Sequence, residues 1–435
     1  MAALAQPIGA VRASAPATVT APQLRECRDC GQFQVIPAMG PSTTAHCLRC
    51  DAVLRHTRRD PTGVALALNL AALGLFAIGS TMSLMTVSKA GIIHSANLFS
   101  GPIGLDNNGL WELSLVVLIT TVAAPFVKLA SMTYVLIGVR QEAPPPHLRT
   151  VFAFIEHLRP WSMVEVYLLG VFVAYVKLSG LVHIDIGTAL YALGLLMLVM
   201  VAADVALDRQ AVWEKLAPPA PSGTATIVNR PTQGAIGCDT CGLVSVPLPG
   251  AADPRCPRCE FRLHHRKPNS LVRTASLSLA ALILYLPANY YPVLTVIQLG
   301  AGAPSTILGG VRELMDVGMY PLAALVFFAS ITVPVVKLVG LAILLISTRT
   351  GYRRRLRDRT VLYRIVDAIG RWSMIDIFME SILVALVQFG AIVTIDPGIG
   401  AVAFAAVVIL TMFAAQSFDP RLMWDAAERR ARRPA

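Results

Sequence analysis

Long apolar stretches separated by short polar segments dominate this chain. Eight of them are long enough to cross a lipid bilayer, which takes roughly 20 apolar residues in a helix. They cover about residues 64–87, 110–139, 160–182, 186–210, 271–297, 319–348, 372–394 and 397–417. Four precede a polar insert and four follow it. The pattern therefore predicts an all-α polytopic membrane protein with eight transmembrane helices.

The second half of the chain repeats the first. Residues 124–129 (APFVKL) recur at 333–338 (VPVVKL), and residues 159–166 (RPWSMVEV) recur at 370–377 (GRWSMIDI). Four cysteines also precede the apolar stretches of each half. A repeat of this length indicates duplication of a whole module rather than a short solenoid unit. We therefore expect two duplicated four-helix bundles, each preceded by a small cysteine-rich domain.

Composition agrees with a membrane protein. The 435 residues are 55% hydrophobic and 14% charged, with a mean hydropathy of +0.61, whereas a soluble domain carries about 25% charged residues. The net charge of +11 would suit a nucleic-acid partner, but the arginines concentrate between apolar stretches, above all at 349–371. Cytoplasmic loops of membrane proteins are rich in Lys and Arg. We interpret the charge as topological and expect no nucleic-acid partner.

The same basic residues predict the orientation. Arginines precede the first and fifth apolar stretches, lie between the second and third, and follow the eighth, which puts both termini and both cysteine modules in the cytoplasm. The opposite connections, 88–109 and 298–318, have few charges and several glycines and prolines, which favours irregular loops. Tight turns are expected near Asp185 and Asp396. The Ala/Pro/Thr-rich start lacks the pattern of a cleaved signal peptide.

These patterns divide the chain into seven segments. We predict a disordered tail (1–23), a first zinc ribbon (24–58), a first four-helix membrane domain (59–216), a linker (217–234), a second zinc ribbon (235–266), a second four-helix membrane domain (267–425) and a basic tail (426–435).

All eight cysteines belong to two quartets with metal-ligand spacing. They are Cys27, Cys30, Cys47, Cys50, Cys238, Cys241, Cys256 and Cys259. Paired C-x-x-C turns separated by 16 and 14 residues are typical of structural zinc sites. Four thiolates leave no open coordination position, so a structural role is favoured over a catalytic one. The spacing predicts two Zn²⁺ ions, although rubredoxin-like iron would fit the same turns.

Charged residues inside the apolar stretches are the second candidate site. A charge in a bilayer costs about 2.5–3.5 kcal/mol on insertion scales and faces a bundle interior or a cavity. Lys128 and Lys337 lie deep in their helices, and we expect them to pair with Glu165 and Asp376 respectively. Two interpretations remain open: neutralising structural pairs, or a polar track that moves protons or lipid headgroups. Residues that would extend such a track are Ser162, Ser373 and Thr332.

The fifth apolar stretch has a feature that the first lacks. Pro287, Asn289 and Pro292 lie within six residues, and the prolines free backbone carbonyls that need partners or a water-lined cavity. The corresponding residues 78–83 contain no proline. If one half handles substrate, this difference favours the second.

Motifs of soluble enzyme chemistry are missing from the sequence. It has no G-x-x-x-x-G-K-[ST] loop, no G-x-S-x-G and no H-E-x-x-H. We therefore expect a protein that is not an enzyme and that needs an external source of energy for any transport.

The tandem C-x-x-C modules, each followed by P-x-x-K-L and R-W-S-M-[ED]-[VI] or its close variant, resemble the paraquat-inducible protein A family. The resemblance covers about residues 24–425. It implies a multi-pass protein of the bacterial inner membrane that works with a periplasmic MCE-domain partner and loads or unloads phospholipid to that partner's tunnel. It also implies that the cysteines hold zinc. The missing P-x-N-x-x-P in the first half makes a lipid pocket there less expected.

Two other functions compete with lipid transport. A redox protein with iron in both quartets would pass electrons to quinone and give paraquat resistance. A non-transporting scaffold would use the ribbons to recruit cytoplasmic proteins. Metal analysis separates the first, and substitution of the membrane lysines and acids separates the second.

Overall fold

The structure is a computed structural model of the chain. It describes residues 23–60, 62–89, 92–142, 144–179, 182–216, 224–251, 253–298, 301–387 and 393–432. The predicted tail up to residue 22 and residues 217–223 of the predicted linker lie outside this set.

Helices dominate, and the same order of elements occurs in both halves. The first half contains α1 (Gly63–Thr81), α2 (Ser100–Asn107), α3 (Trp111–Leu118), α4 (Ala124–Gly138), α5 (His147–Leu158), α6 (Val164–Ser179), α7 (Thr188–Ala206) and α8 (Arg209–Leu216). The second contains α9 (Ser270–Tyr290), α10 (Ile307–Asp316), α11 (Tyr320–Phe327), α12 (Val333–Thr350), α13 (Leu356–Gly370), α14 (Ile375–Leu386), α15 (Ile399–Ser417) and α16 (Arg421–Arg432).

Short strands form five small antiparallel sheets. In chain order they are β1 (Gln23–Glu26), β2 (Phe33–Ile36), β3 (Thr44–His46), β4 (Val53–His56), β5 (Met85–Lys89), β6 (Ile92–Ala96), β7 (His183–Ile186), β8 (Ala225–Ile227), β9 (Ile236–Gly237), β10 (Val244–Pro247), β11 (Leu294–Gln298), β12 (Ala301–Ser305) and β13 (Val393–Pro397). The sheet orders are β1-β2, β3-β4, β8-β10-β9, β6-β5-β7 and β12-β11-β13.

The connections expected to be irregular contain regular structure. Region 88–109 holds the end of a hairpin and helix α2, and region 298–318 holds the equivalent hairpin and α10. The expected turn at Asp185 is strand β7, where Asp185 pairs with Thr86 of β5, and Asp396 of β13 pairs with Thr295 of β11. Pairing satisfies backbone groups that an irregular loop would leave to water, and the alternating Met-Thr-Val-Ser of β5 suits a strand. We call this end of the molecule the sheet side.

Seven described helical segments are long and apolar enough to cross a membrane, rather than the eight expected. They are Gly63–Thr81, Trp111–Gly138, His147–Ser179, Thr188–Ala206, Ser270–Tyr290, Tyr320–Thr350 and Ile399–Ser417. The predicted stretch 372–394 differs because α14 has only 12 residues and β13 begins at Val393. Twelve residues span roughly 18 Å as a helix, against a hydrocarbon core of about 30 Å. A continuous apolar run here combines a short helix with a strand.

A proline shapes the second span of each half. The turn Ile119–Ala123 joins α3 to α4, and Phe328–Thr332 joins α11 to α12, both as wide π-helical turns. Pro125 and Pro334 follow at the start of the next helix. Proline has no N–H and clashes with the carbonyl four residues earlier, and a π turn absorbs that mismatch.

The two halves meet along α6 and α14. Gly170 of α6 allows the contact, because a Cβ there would lie 2.9 Å from the Cβ of Phe378. The rings of Tyr167 and Phe378 pack edge to face, with centroids 5.7 Å apart. Helix α2 of the first half also crosses onto α14, where Gly101 approaches Ser381. A continuous apolar core therefore connects the halves.

Candidate functional site

Each cysteine quartet brings four sulfur atoms together. Within a quartet all Sγ atoms lie within 4.8 Å of one another, and all eight cysteines are buried. The Sγ–Sγ distances are 3.5 Å for Cys27–Cys50, 3.6 Å for Cys30–Cys47, 3.4 Å for Cys238–Cys259 and 3.5 Å for Cys241–Cys256. Metal–sulfur bonds of about 2.3 Å in a tetrahedron separate the sulfurs by roughly 3.8 Å. Both quartets can therefore hold a metal ion.

The backbone of the four C-x-x-C turns explains their residue types. In each turn the first cysteine's carbonyl accepts a hydrogen bond from the N–H four residues later, as Cys27 does from Gly31 at 2.9 Å. The residue that donates this hydrogen bond directly follows the second cysteine, and it has a positive φ in all four turns: Gly31 (72°), Asp51 (61°), Gly242 (71°) and Glu260 (61°). Glycine adopts this conformation freely, and Asp51 and Glu260 adopt it at a small cost. The turns thus point their thiols at one centre.

The first ribbon (residues 23–58) docks on the second half of the chain. Trp424 of α16 packs in one apolar cluster with the first cysteine quartet. Arg364 of α13 donates from Nε to Asp29 Oδ2 at 2.7 Å and from Nη2 to the Cys50 carbonyl at 3.1 Å. The guanidinium of Arg49 also lies over the Trp424 ring, 4.3 Å from its centre. The first metal site therefore rests on α13 and α16.

The second ribbon (residues 224–266) docks on the first half. Trp213 of α8 and Phe152 of α5 belong to the same buried cluster as the second cysteine quartet. The ring of His157, in the last turn of α5, stacks on Phe261 at 5.4 Å. Each ribbon thus rests mainly on the half that it does not precede. The sequence contains a signal for these two docking helices, because D-x₄-W-[ED] recurs at 208–214 and 419–425.

A buried ion network joins both ribbons to α16. Arg421 donates two hydrogen bonds to the carboxylate of Asp419, from Nε and Nη2, each at 3.0 Å, and its guanidinium also lies within 3.5 Å of Glu26. Burial opposes ionisation of Asp419, but the Arg421 contacts outweigh it and hold the pKa of Asp419 below its usual value. Glu26 also accepts from the N–H of Gly237 in the second ribbon at 2.7 Å. This network fixes the ribbons relative to each other.

Lys128 does not pair with Glu165. Its ammonium donates to Asp204 Oδ2 of α7 at 3.0 Å, and Arg159 lies 3.6 Å from the same oxygen. Glu165 instead faces Arg371 of the second half at 3.6 Å. The predicted pair is wrong because Asp204, near the end of the otherwise apolar helix α7, lies closer to Lys128.

These charges line a cavity of about 550 Å³ between the halves, which we call the ribbon-side cavity. Its wall combines charged residues with the methionines Met197, Met200 and Met412. The charged and polar residues of the wall are Lys128, Arg159, Ser162, Glu165, Asp204, Asp367, Arg371 and Gln416. Three of the sequence-predicted residues, Lys128, Ser162 and Glu165, therefore share one site. A cavity with both charge signs and an apolar wall can receive a polar group attached to an apolar chain.

Lys337 does not pair with Asp376 either. It is fully buried, and its ammonium donates to Ser373 Oγ at 3.4 Å. No carboxylate of the described residues lies within 4.0 Å of that ammonium, so it has no ion-pair partner there. The reason is positional: the residue of α15 that corresponds to Asp204 is Ala415.

Asp376, in the first turn of α14, lines a separate small cavity of about 50 Å³. We call it the sheet-side cavity because residues of β11 and β12 also line it. Glu380, one helical turn further, and Lys177 of α6 line the same cavity with Ser330. Oxygen atoms of Asp376 and Glu380 are buried without a hydrogen-bond partner in the protein, and the volume suits a few water molecules. Glu380 and Lys177 were missed, although the four-residue spacing of Asp376 and Glu380 on one helix face was visible in the sequence.

The remaining predicted track residues lie elsewhere. Asn289 donates to the Tyr285 carbonyl at 2.9 Å, within the helix that Pro287 interrupts. Pro292 accepts from the N–H of Gly400 at 3.1 Å. These three residues and Thr332 line neither cavity. The polar residues therefore form two separate sites rather than one continuous track.

Comparison with known proteins places this chain among relatives of the same length. The family model described as paraquat-inducible protein A matches residues 64–217 and again 271–428. Intermembrane transport protein PqiA of Escherichia coli (strain K12) is 34% identical over 405 residues, covering 92% of this chain and 95% of the relative. No solved structure matches the chain significantly.

Two further relatives carry related names. Lipophilic envelope-spanning tunnel protein A of Escherichia coli (strain K12) is 31% identical over 406 residues, covering 93% of this chain and 92% of the relative. A probable intermembrane transport protein of Haemophilus influenzae is 26% identical over 411 residues, covering 94% and 97%. These names indicate a role in intermembrane transport, and the apolar helices indicate a bacterial membrane protein. The chain belongs to the paraquat-inducible protein A family.

Proposed function

We propose that this protein is the inner-membrane component of an intermembrane lipid-transport system. It loads or unloads phospholipid to a periplasmic MCE-domain tunnel, and proton flux supplies the energy. The observation that supports this proposal is a cavity with charged and apolar walls between the two halves of the chain. In addition, relatives named for intermembrane transport match nearly the whole chain.

The chemistry of the ribbon-side cavity supports a phospholipid as the cargo. A phospholipid headgroup carries a phosphate and, in zwitterionic species, an ammonium group. Arg159 and Arg371 offer donors to a phosphate, while Asp367 and Glu165 offer acceptors to an ammonium. The methionine side chains provide a flexible apolar wall for the first part of an acyl chain. Its volume of about 550 Å³ admits a headgroup rather than a whole lipid.

The sheet-side cavity supports a proton-driven mechanism. The sequence lacks a nucleotide-binding loop, so the energy must come from elsewhere. Asp376 and Glu380 have buried oxygens free to bind water or a proton, and Lys177 lies beside them. Charged groups at this depth are costly and usually functional. We assign them to proton transfer. The buried contact between Lys337 and Ser373, three residues before Asp376, is a further candidate for this role.

The topology that fits this role has eight crossings in two duplicated bundles. Helix α14, together with the 3₁₀ turn Arg371–Met374 before it, makes the eighth crossing, and the ribbons and both termini lie in the cytoplasm. This orientation rests on the basic residues of the ribbon side. The two quartets then hold Zn²⁺ as structural sites, which supply stability to ribbons too small for an apolar core.

A transfer assay tests the proposed function. The protein is reconstituted in proteoliposomes with labelled phospholipid, and transfer to a purified MCE-domain partner is measured with and without a pH gradient. We expect transfer that the gradient accelerates. Asp376→Asn should abolish the acceleration. Glu165→Gln, at the corresponding position of the first half, should lower transfer by the same factor with and without the gradient, because Glu165 lines the headgroup cavity and not the sheet-side cavity. Asp376→Asn matching the unmodified protein in both conditions would falsify the proton mechanism.

Metal analysis tests the structural assignment of the quartets. We expect about two zinc ions per chain and no visible absorbance. Iron with the absorbance of a rubredoxin-like centre would contradict zinc and favour the redox alternative. The transfer assay is independent of this result.

A further inference from the structure

The surface beside the end of α12 carries a concentration of arginine that the first half lacks. Six exposed arginines form what we call the arginine patch, together with Arg349 in the last turn of α12. They are Arg353, Arg354, Arg355, Arg429, Arg430 and Arg432. The corresponding connection of the first half, residues 139–149, has only Arg140 and Arg149, with Glu142 as an opposing charge. The positive-inside tendency acts on both halves and does not explain this asymmetry.

The patch is a single surface although its arginines come from two segments. Helix α16 packs beside the end of α12, and Arg430 donates from Nη1 to the Thr350 carbonyl at 2.5 Å. A Cβ on Gly351 would lie 3.2 Å from the Ala426 carbonyl, so the connection after α12 touches α16 directly. Residues 353–355 and 429–432 therefore lie side by side.

The connection that carries three of these arginines is held in place. Buried Arg359 of α13 donates from Nη2 to the carbonyls of Tyr352 and Arg354, the latter at 2.9 Å. Its guanidinium also lies over the Tyr352 ring, 5.4 Å from the centre. A fixed backbone presents the neighbouring exposed arginines without the entropy cost of ordering a loose loop.

The charge of the patch is almost uncompensated by the protein. Within the described part of the chain, Arg355 alone of the seven reaches a carboxylate, Asp358 at 4.0 Å, and both side chains are largely exposed. Glu428 of α16 pairs instead with Arg49 of the first ribbon, with 2.6 Å between Glu428 Oε1 and Arg49 Nη2. The patch therefore has a strong positive potential that an external anion must balance.

The neighbouring apolar surface indicates which anion this is. Ile343 and Ile346 of α12 are exposed directly before Arg349, on a helix long enough to cross the membrane. Val361 and Ile365 of α13, and Trp372 in the turn that follows it, are exposed as well. An arginine-rich, aromatic-edged rim next to a lipid-facing surface lies at the depth of phospholipid headgroups.

We propose that the arginine patch binds anionic phospholipid headgroups of the leaflet on the ribbon side. Basic residues at a membrane surface attract anionic lipids, and basic pockets beside transmembrane helices bind their headgroups. Guanidinium groups suit this role because they bind phosphate oxygens in pairs. The site is distinct from the ribbon-side cavity, whose positive and negative groups are equally represented, and it does not depend on transport.

The test measures lipid binding to the purified full chain in detergent, by native mass spectrometry with phosphatidylglycerol or phosphatidylethanolamine. The variant is R353Q/R354Q/R429Q/R432Q, and the matched control is R140Q/R149Q in the first half. We expect the unmodified protein to prefer phosphatidylglycerol and the quadruple variant to bind it at least about tenfold more weakly. The control variant should bind as the unmodified protein does.

Two further measurements separate lipid binding from folding defects. The quadruple variant with Lys in place of Gln keeps the charge and should retain most of the binding, and binding to the unmodified protein should weaken as salt rises. Equal binding of both lipids by the unmodified protein overturns the proposal. So does a quadruple Gln variant that keeps the preference, or equal displacement by soluble glycerophosphoglycerol, which would indicate a phosphate site without a membrane component.

Discussion

The two halves of this protein carry a lysine at the same place after a π turn, and they surround it differently. In the first half Lys128 pairs with Asp204 and opens to a cavity of about 550 Å³. In the second half Lys337 is buried against Ser373, because Ala415 replaces the acid. The second half instead has Glu380 where the first has Leu169. The two halves therefore share an arrangement of helices but differ in where they place a carboxylate. The first half has Asp204 on the ribbon side, and the second half has Glu380 on the sheet side.

The ribbon-side ends of the halves show a second contrast. Asp208 and Asp419 occupy the same position, each before the terminal helix of its half. Asp419 has Arg421 as a bidentate partner, whereas Asp208 has Gln210 at that position and caps the N–H groups of Gln210 and Ala211. Burial raises the pKa of Asp208, and its weaker partners do not reverse the effect. Arg421, at the position of Gln210, is the strongest of the contacts that lower the pKa of Asp419, and Asp208 has no equivalent partner at that position.

Removing either metal site is expected to give the largest effect and tests the crossed docking of the ribbons. Structural zinc contributes about 10–16 kcal/mol of apparent binding energy in small zinc domains. We expect C27S/C30S to raise hydrogen exchange in α13 and α16 of the second half, and C238S/C241S to raise it in α5 and α8 of the first. Exchange that increases only in the half following the altered ribbon would contradict this arrangement.

The next largest effect is the difference in stability loss between Asp419→Asn and Asp208→Asn. Asp419→Asn removes the carboxylate that accepts two hydrogen bonds from Arg421, which keeps Glu26 and Asp239 as partners, so we expect a loss of about 1.5–3 kcal/mol. Asp208→Asn keeps one acceptor oxygen and removes a carboxylate whose ionisation is disfavoured, so we expect a loss of less than about 1 kcal/mol. Apparent melting temperatures in the same detergent measure the difference. Equal losses would show that Arg421 is not the deciding partner.

The same two carboxylates predict opposite pH dependences. The pKa of Asp419 is lowered in the folded state, so its contribution is complete above roughly pH 4, the unfolded value, and is lost as pH falls through the folded one. The pKa of Asp208 is raised, so its contribution is largest below that unfolded value and is lost as pH rises through the folded one. Melting curves are compared between about pH 2.5 and 7. As pH falls, the stability of the unmodified protein should decrease relative to Asp419→Asn and increase relative to Asp208→Asn.

The smallest effect concerns the two lysines. Lys128→Met leaves Asp204 with Arg159 as its remaining partner, so we expect a loss of about 1–2 kcal/mol. Lys337→Met replaces a buried ammonium that has no carboxylate partner among the described residues, so the variant should be as stable as the unmodified protein or more stable. Both are measured by thermal melting at pH 7. A larger loss of stability for Lys337→Met than for Lys128→Met would contradict the absence of a carboxylate partner for Lys337 among the described residues.

Hydrophobic periodicity and residue spacing were sufficient to predict the cysteine sites, but not the ion pairs or every membrane-spanning helix. The quartets are local motifs, so Cys27 and Cys30 could be assigned as metal ligands from their spacing alone. The Lys128–Glu165 pair was wrong because partners on different helices depend on rotation and crossing, which apolar helices do not encode in their sequence. Region 372–394 was predicted as one span because hydropathy does not distinguish a short helix followed by a strand from a continuous helix.

The sequence by itself determined that this is a duplicated membrane protein with two cysteine quartets, because helix-length apolar runs, repeated motifs and C-x-x-C turns are local properties. Only the tertiary structure decided which charges meet: Lys128 with Asp204, Glu165 with Arg371, and each ribbon with the opposite half. Those contacts join residues far apart in the chain, and their geometry follows from helix packing around α6 and α14. Packing of this kind is a property of the whole fold and not of any one segment.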